Sequence, residues 1–381
     1  MGHLAECDRD FMEAAPYRDR MEAILNGDPV DVVPWSADLQ WWRAGLDAQG
    51  TLHPRYRGVE GLLRLHQEQH TGIYLDGLYM VAENPGPRCS VDVELRGSDV
   101  RIETIHTPEG DLRTVSRRAT DSWAIVEHPV QQVSDLRAVR AYYEDVVYTP
   151  KDEDYLWRQS LYGGWGMSMP LVQRTPLMDM VIRWCGIQSF VYLDMEHQDE
   201  VLATMDAIST AQDRLYELLA QCPSPYLEIG DNISGEVVGG YFRRYGAPYY
   251  AKRVAQLHAA GKKVGSHIDG TLRPVLRAAA ATGLDFVEGI TPAPVGDLTA
   301  DQIASELDGL DTIVWGGVPA ALFAAPDWST VRAYVEDVVR TLWRGGKLVL
   351  GVGDQVPPNG HISYCHRISD LMEELGPLGA W

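Results

Sequence analysis

The stretch from Tyr226 to Asp297 constrains the fold of this chain more than any other. It reads YLEIGDNISGE, a helical segment, KKVGSHIDG, a second helical segment and DFVEGITPAPVGD. Three short apolar runs alternating with two helices is the pattern of parallel strands joined by crossover helices. Each run ends in polar groups: Glu228 and Asp231, then His267 and Asp269, then Glu288. In parallel β/α architectures the loops that follow the strands converge at their carboxyl ends, so chemistry collects there. Acids, bases and metal-ligand types at three successive strand ends point to an enzyme or a metal site.

The flanking chain extends the same pattern. Further strands are expected in VDVVPWSADL (30–39), GIYLDGLYM (72–80), SLYGGWGMSM (160–169), DTIVWGGVP (311–319) and KLVLGVGDQVPP (347–358), most of them separated by helical segments. Tyr17 to Leu25 reads as a helix with Met21, Ile24 and Leu25 on one face and Gly27 as its stop. Eight strands is the count of a single (β/α)8 TIM barrel, so residues 1–381 are expected to form one α/β barrel domain. From about 88 to 128 the texture changes to alternation, with TPEGDL (107–112) as a hairpin turn, which predicts an antiparallel β insertion.

Composition narrows the function. A formal net charge of -21 argues against a nucleic-acid partner, which would need a basic face. Five scattered cysteines (Cys7, Cys89, Cys185, Cys222 and Cys365) include no C-x-x-C pair and suggest reduced thiols in a cytoplasmic setting. The first residues lack the apolar run of a secretory signal, and no run approaches the length of a membrane span. No G-x-G-x-x-G or Walker context is present, so a nucleotide cofactor is not indicated.

His267 and Asp269 stand two apart, so both side chains leave one face of a strand. They suit chelation of a divalent metal, an oriented acid–base pair, or a turn in which Asp269 caps a helix near Leu272. Glu288 ends an apolar strand, where a charge is costly unless paired; metal ligand, substrate clamp and partner of a buried arginine all answer that cost. Glu228 and Asp231 end LEIGDN in the same manner, with an Asx turn at Asn232 as the plainer role for Asp231. Asp354 follows the last strand, where a barrel returns it beside the first; an ordinary turn aspartate reads the same way. In the N-terminal half Asp76 and Tyr79 lie on the second strand. Arg43 follows Trp41 and Trp42, which suits a carboxylate-bearing or flat substrate and equally a surface ion pair.

Taken together, MEAILNGDPVDVVPW, LHAAGKK before HIDG, ATGLD after the next helix, and the closing LGVGDQVPPNGHI resemble the uroporphyrinogen decarboxylase superfamily over most of the chain. The resemblance implies a (β/α)8 barrel with its site at the carboxyl face. It implies one of two chemistries: cofactor-free decarboxylation by an aspartate, or methyl transfer with zinc held by H-x-C and a later cysteine in G-C-G. Here the first position reads His267-Ile268-Asp269 and the second Gly351-Val352-Gly353, followed by Asp354. Carboxylates in place of thiolates suit a harder metal site and an oxygen-bound leaving group. The resemblance therefore implies a metal-dependent methyltransferase similar to an aryl methyl ether demethylase, its zinc or other divalent ion held by His267, Asp269, Glu228 and Glu288. A corrinoid on a partner protein would be the methyl acceptor. Asp76, Asp231 and Asp354 are the catalytic candidates, and Arg43, Trp41, Trp42, Tyr79, Trp165 and Trp315 the candidates to bind a small substrate. The alternatives are a decarboxylase, with Asp76 as the acid and Arg43 holding a carboxylate, and a non-catalytic small-molecule binding barrel.

Overall fold

A computed structural model describes residues 16–119, 122–343 and 346–376; Cys7 and the N-terminal leader reading lie outside them. The strands, in chain order, begin with β1 (Trp35–Ser36) and β2 (Val81–Asn84). Then come β3 (Ser90–Arg96), β4 (Val100–Thr107), β5 (Gly110–Arg118), β6 (Trp123–Glu127) and β7 (Val147–Pro150). The C-terminal set is β8 (Leu171–Val172), β9 (Tyr226–Ile233), β10 (Lys263–Ile268), β11 (Phe286–Ile290), β12 (Ile313–Pro319) and β13 (Leu348–Gly353).

Seven of these form one parallel sheet in the order β1-β13-β12-β11-β10-β9-β8. The eighth position is filled by Gly72–Tyr74, an irregular segment rather than a regular strand. Gly72 bridges Ser36 of β1, and Ile73 bridges Gly166, whose segment leads into β8. Backbone hydrogen bonds of 3.0 Å from Ile73 N–H to Trp165 O and from Met167 N–H to Ile73 O stitch the two together. The parallel ring closes there, as the (β/α)8 pattern requires. One further strand expectation shifts. Residues 160–162 belong to the helix Asp152–Tyr162, and pairing begins only at Gly166. Residues 40–45, just past β1, are the start of the helix Gln40–Ala48.

Glycine is needed at 166 for a steric reason. Its φ is 150°, and a Cβ there would lie 2.0 Å from the carbonyl oxygen of Ile73. At that distance one of two hydrogen-bonded backbones would have to move.

The N-terminal end of the barrel is plugged. The helix Tyr17–Asn26 ends at Gly27, in the left-handed conformation at φ 79°, as C-caps favour. Its Met21, Ile24 and Leu25 pack with Tyr226, Phe286, Ile313, Trp315 and Val349 inside the ring. The predicted β insertion is a four-stranded antiparallel sheet, β3-β4-β5-β6. Ile105 and Leu112 face each other across β4 and β5 and are buried. No helix among the described residues is long and apolar enough to cross a membrane.

Replacing Gly166 by alanine should cost at least about 2 kcal/mol, from backbone strain and the clash at the closing segment. Urea unfolding of the variant against the parent measures this; an unchanged midpoint would show that the ring does not depend on that contact.

Candidate metal centre at the barrel mouth

Parallel register sets the centre of the site. His267 on β10 pairs directly with Glu288 on β11, while Glu228 on β9 stands opposite Gly265, two residues before His267. Side chains two apart share a face, so all three point into the ring. One ligand atom from each of Glu228, His267 and Glu288 lies within 4.8 Å of the others. His267 Nδ1 contacts a Glu288 carboxylate oxygen, and Tyr74 donates from its hydroxyl to Glu288 Oε1 at 2.6 Å. Gly289, at φ 80°, leaves room for the imidazole: a Cβ there would fall 2.6 Å from His267 Cε1. Beneath the group the Tyr74 and Trp315 rings lie 4.5 Å apart, and the Phe286 ring lies 5.7 Å from Trp315.

Glu228 is fully buried, and neither carboxylate oxygen has a hydrogen-bond partner. Burial, with the Glu288 charge beside it and only His267 opposing, holds its carboxyl well above the usual range. Two ionised carboxylates this close repel, so the geometry calls for a proton or a cation between them. Burial would lower the His267 imidazole, but Glu288, with Glu228 and Asp354 adding, lifts it to about 10. The donor set therefore fits a divalent ion well: two anionic oxygens and one imidazole, with further positions left open, is the composition of a catalytic site.

The other candidates spread around this centre. Asp269 is half-buried and accepts the Gly270 N–H at 2.6 Å, outside the three-residue group. It does not cap a helix near Leu272; Asp297 accepts the Leu272 N–H at 2.7 Å instead. Asp354, at φ 75°, sits at the mouth, where burial, Asp269 and Glu288 raise its carboxyl and His267 opposes. Asp231 is fully buried on β9 and accepts Thr175 N–H at 2.7 Å, Thr175 Oγ1–H at 2.6 Å and Tyr250 O–H at 2.8 Å. Burial nonetheless pushes it up to about 6. Its hydrogen bonds tie the loop after β8 to the barrel.

Asp76 is closed off from a substrate. Its carboxylate accepts Tyr162 O–H and Ser168 O–H, each at 2.8 Å, and pairs with Arg158 at 3.1 Å. Arg43 donates to the Gly58 carbonyl at 2.6 Å and the Tyr56 carbonyl at 3.4 Å, which joins its helix to the next loop. Trp41 lines a mouth cavity of about 380 Å³ with Asp354 and Gln355, whereas Trp42 packs partly against the core. Trp165 stacks on Tyr17 at 5.3 Å and packs in a cluster with Leu62, Leu63, Ile73 and Tyr162. Tyr79 lines a second cavity, of about 300 Å³, with Arg174 and Arg183.

Sequence reading passed over Asp38, Tyr74 and Gln355. Asp38 is buried and accepts Gln40 N–H and Gln355 Nε2–H, each at 2.7 Å. Burial, aided by Glu288 and Asp354 and opposed by those hydrogen bonds, pushes it up to about 7. It ends VDVVPWSAD, so the strand-end logic used for Glu228 and Glu288 would have found it. Tyr74 stands two before Asp76 in YLD, on the same side of the segment, but carries no charge to attract notice.

A barrel with a buried carboxylate–histidine centre at its carboxyl mouth is an enzyme-type architecture. Residues 185–375, just over half of the chain, match the uroporphyrinogen decarboxylase (URO-D) family, and the protein belongs to that family. No curated protein sequence matches the chain. Among solved structures, a methyltransferase from Methanosarcina mazei shares the fold with a TM-score of 0.62 at 14% identity, over 95% of this chain and 99% of that one. A Listeria monocytogenes protein described as a vitamin-B12 independent methionine synthase superposes with a TM-score of 0.45 at 10% identity, over 91% of this chain and 98% of that one.

Asp38 makes a pH-dependent contribution whose sign follows from its shift. The folded value of about 7 exceeds the ordinary 3.8, so the native state holds this proton more tightly than the unfolded chain does. Asp38 should therefore cost stability progressively as pH rises from about 4 to about 7, and nothing by this route below that range. In metal-free protein, Asp38→Asn should gain stability relative to the parent between pH 4 and pH 8, as Gln355 can turn its amide to keep the contact. Urea unfolding across that range reads the difference; a constant difference would count against the raised value.

Proposed function

We propose that this protein is a metal-dependent methyltransferase that takes a methyl group from a small O- or N-methyl donor and passes it to a corrinoid carried by a partner protein. The observation that carries the reading is Glu228: a fully buried carboxylate with both oxygens unpartnered, grouped with His267 and Glu288 within 4.8 Å. Such a group is expensive to bury without a cation. The family, and the fold shared with the Methanosarcina mazei methyltransferase, favour this chemistry over other uses of a metal. Val352, at the place of the family's late cysteine, is apolar and buried. Carboxylates from β9 and β11 stand in for thiolates, with Glu228 and Glu288 joining His267 in place of Asp269.

Zinc or another divalent ion bound there would supply Lewis acidity without a proton. The chain's own residues do the rest. Tyr74 fixes Glu288 through its hydroxyl, and such outer partners orient a ligand and tune its basicity. Tyr74, Trp315 and Phe286 close the barrel beneath the group, which excludes water from below and keeps charges strong above. Asp38, near 7, is matched to supplying or accepting a proton as the donor's oxygen or nitrogen departs. Gln355 donates to Asp38 Oδ2 and also lines the mouth cavity, so it holds that carboxyl in place beside the space a donor would occupy.

Metal analysis of the purified protein tests the proposal. About one equivalent of zinc or another divalent ion per chain is expected, with loss in Glu228→Ala, His267→Ala and Glu288→Ala. Methyl transfer should fall on the order of 100-fold or more in each, and Tyr74→Phe should weaken metal affinity about 10- to 100-fold. A wild-type protein that holds no metal after reloading would overturn the reading.

A further inference from the structure

The mouth cavity identifies a chemical class of ligand, and this inference builds on the methyltransferase reading for the ligand's role as donor. Its described lining is Gln40, Trp41, Ala44, Ser122, Asp354 and Gln355. Gln40 and Trp41 begin the helix after β1, Asp354 and Gln355 follow β13, and Ser122 comes from the turn between β5 and β6. The insertion thus contributes a residue to this cavity.

Two of these groups make no hydrogen bond or ring contact among the described residues, although Asp354 feels the charges of His267 and Glu288. Trp41 is 37% exposed, and no aromatic ring or cation among the described residues stacks on it. Asp354 is held at the mouth by a left-handed backbone, and its carboxylate accepts no hydrogen bond among the described residues. The remaining polar side chains are committed elsewhere: Gln40 Nε2 donates to Leu75 O at 3.2 Å, and Gln355 Nε2 donates to Asp38 at 2.7 Å. Arg43, one turn from Gln40, is drawn away to the carbonyls of Tyr56 and Gly58. An anionic ligand would find no free cation in this lining and would meet Asp354. A cation would meet an exposed indole and a carboxylate with no hydrogen-bond partner among the described residues, the kinds of group that recognise alkylated ammonium groups.

We infer that the cavity between Trp41 and Asp354 binds a quaternary or tertiary ammonium group, so that the donor is a small alkylammonium compound rather than a neutral aryl ether or a carboxylate. The volume of about 380 Å³ accommodates a trimethylammonium head with its substituent.

Calorimetric titration of the full-length protein with choline, against 3,3-dimethylbutan-1-ol of the same shape without the charge, tests this. Choline should bind at millimolar concentration or below, and the uncharged isostere about tenfold more weakly. Trp41→Ala should lose about tenfold in choline affinity while Trp41→Phe keeps most of it, and Asp354→Asn should erase the preference for the cation. Equal binding of the two compounds, no choline binding at millimolar concentration, or wild-type affinity in both Trp41→Ala and Asp354→Asn would overturn the inference. Metal content and methyl transfer measured on the same samples separate the two readings. Choline selectivity without metal or transfer would leave this site standing and remove the methyltransferase. Transfer from neutral donors alone would do the reverse.

Discussion

The contact between His267 and Glu288, with Glu228 two residues lower on the next strand, is the constraint on which this molecule turns. Each of these groups is costly to bury alone, and together they leave one carboxylate with no partner. Much of the surrounding structure makes that arrangement tolerable. Tyr74 supplies a hydrogen bond, Gly289 supplies space, and the parallel register of β10 and β11 sets the two side chains abreast. A group so placed has little use in a barrel whose only task is to fold, because apolar residues of similar size would be at least as stable.

The barrel is built to make the centre one-sided. The N-terminal helix fills the lower end with Met21, Ile24 and Leu25, and aromatic rings fill the layer above. These layers separate the centre from the amino end, and the mouth cavity lies at the carboxyl face, where the loops after β1 and β13 meet. The buried charges are held in a medium where interactions are strong, while Asp354 and Trp41 remain reachable. The antiparallel insertion, which is not needed to close the ring, reaches the same face through Ser122.

Much of this was legible in the chain. The alternation over 226–297, the alternating texture of 88–128 and the stop at Gly27 follow local rules, and local rules are what a sequence displays. Glu228, His267 and Glu288 were visible as charges at the ends of apolar runs. The irregular segment at Gly72–Tyr74 was not, because its backbone is set by Gly166 across the ring, nearly a hundred residues away. Trp165 and Asp76 read as site residues because they are conspicuous, yet the fold spends them on packing against Tyr17 and on a network with Tyr162, Ser168 and Arg158. Asp38 was overlooked for the opposite reason: one aspartate at the first strand end drew no weight until Glu288 and Asp354 were beside it.

The chain alone thus set the class of architecture and the polar residue types that stand at the carboxyl ends of the strands, since periodicity and strand-end polarity are local properties. Only the tertiary structure decided which of those residues meet. Asp269, adjacent in sequence to the histidine strand, turns to its own Gly270, while Glu228 and Glu288 reach His267 from neighbouring strands through register. Likewise Arg43 and Trp41, one helical turn apart at most, are sent to different tasks by what each finds across the fold: backbone carbonyls for the one, an open cavity for the other. Register and ring closure are long-range properties, and they decide which of the candidates the chain presents come together.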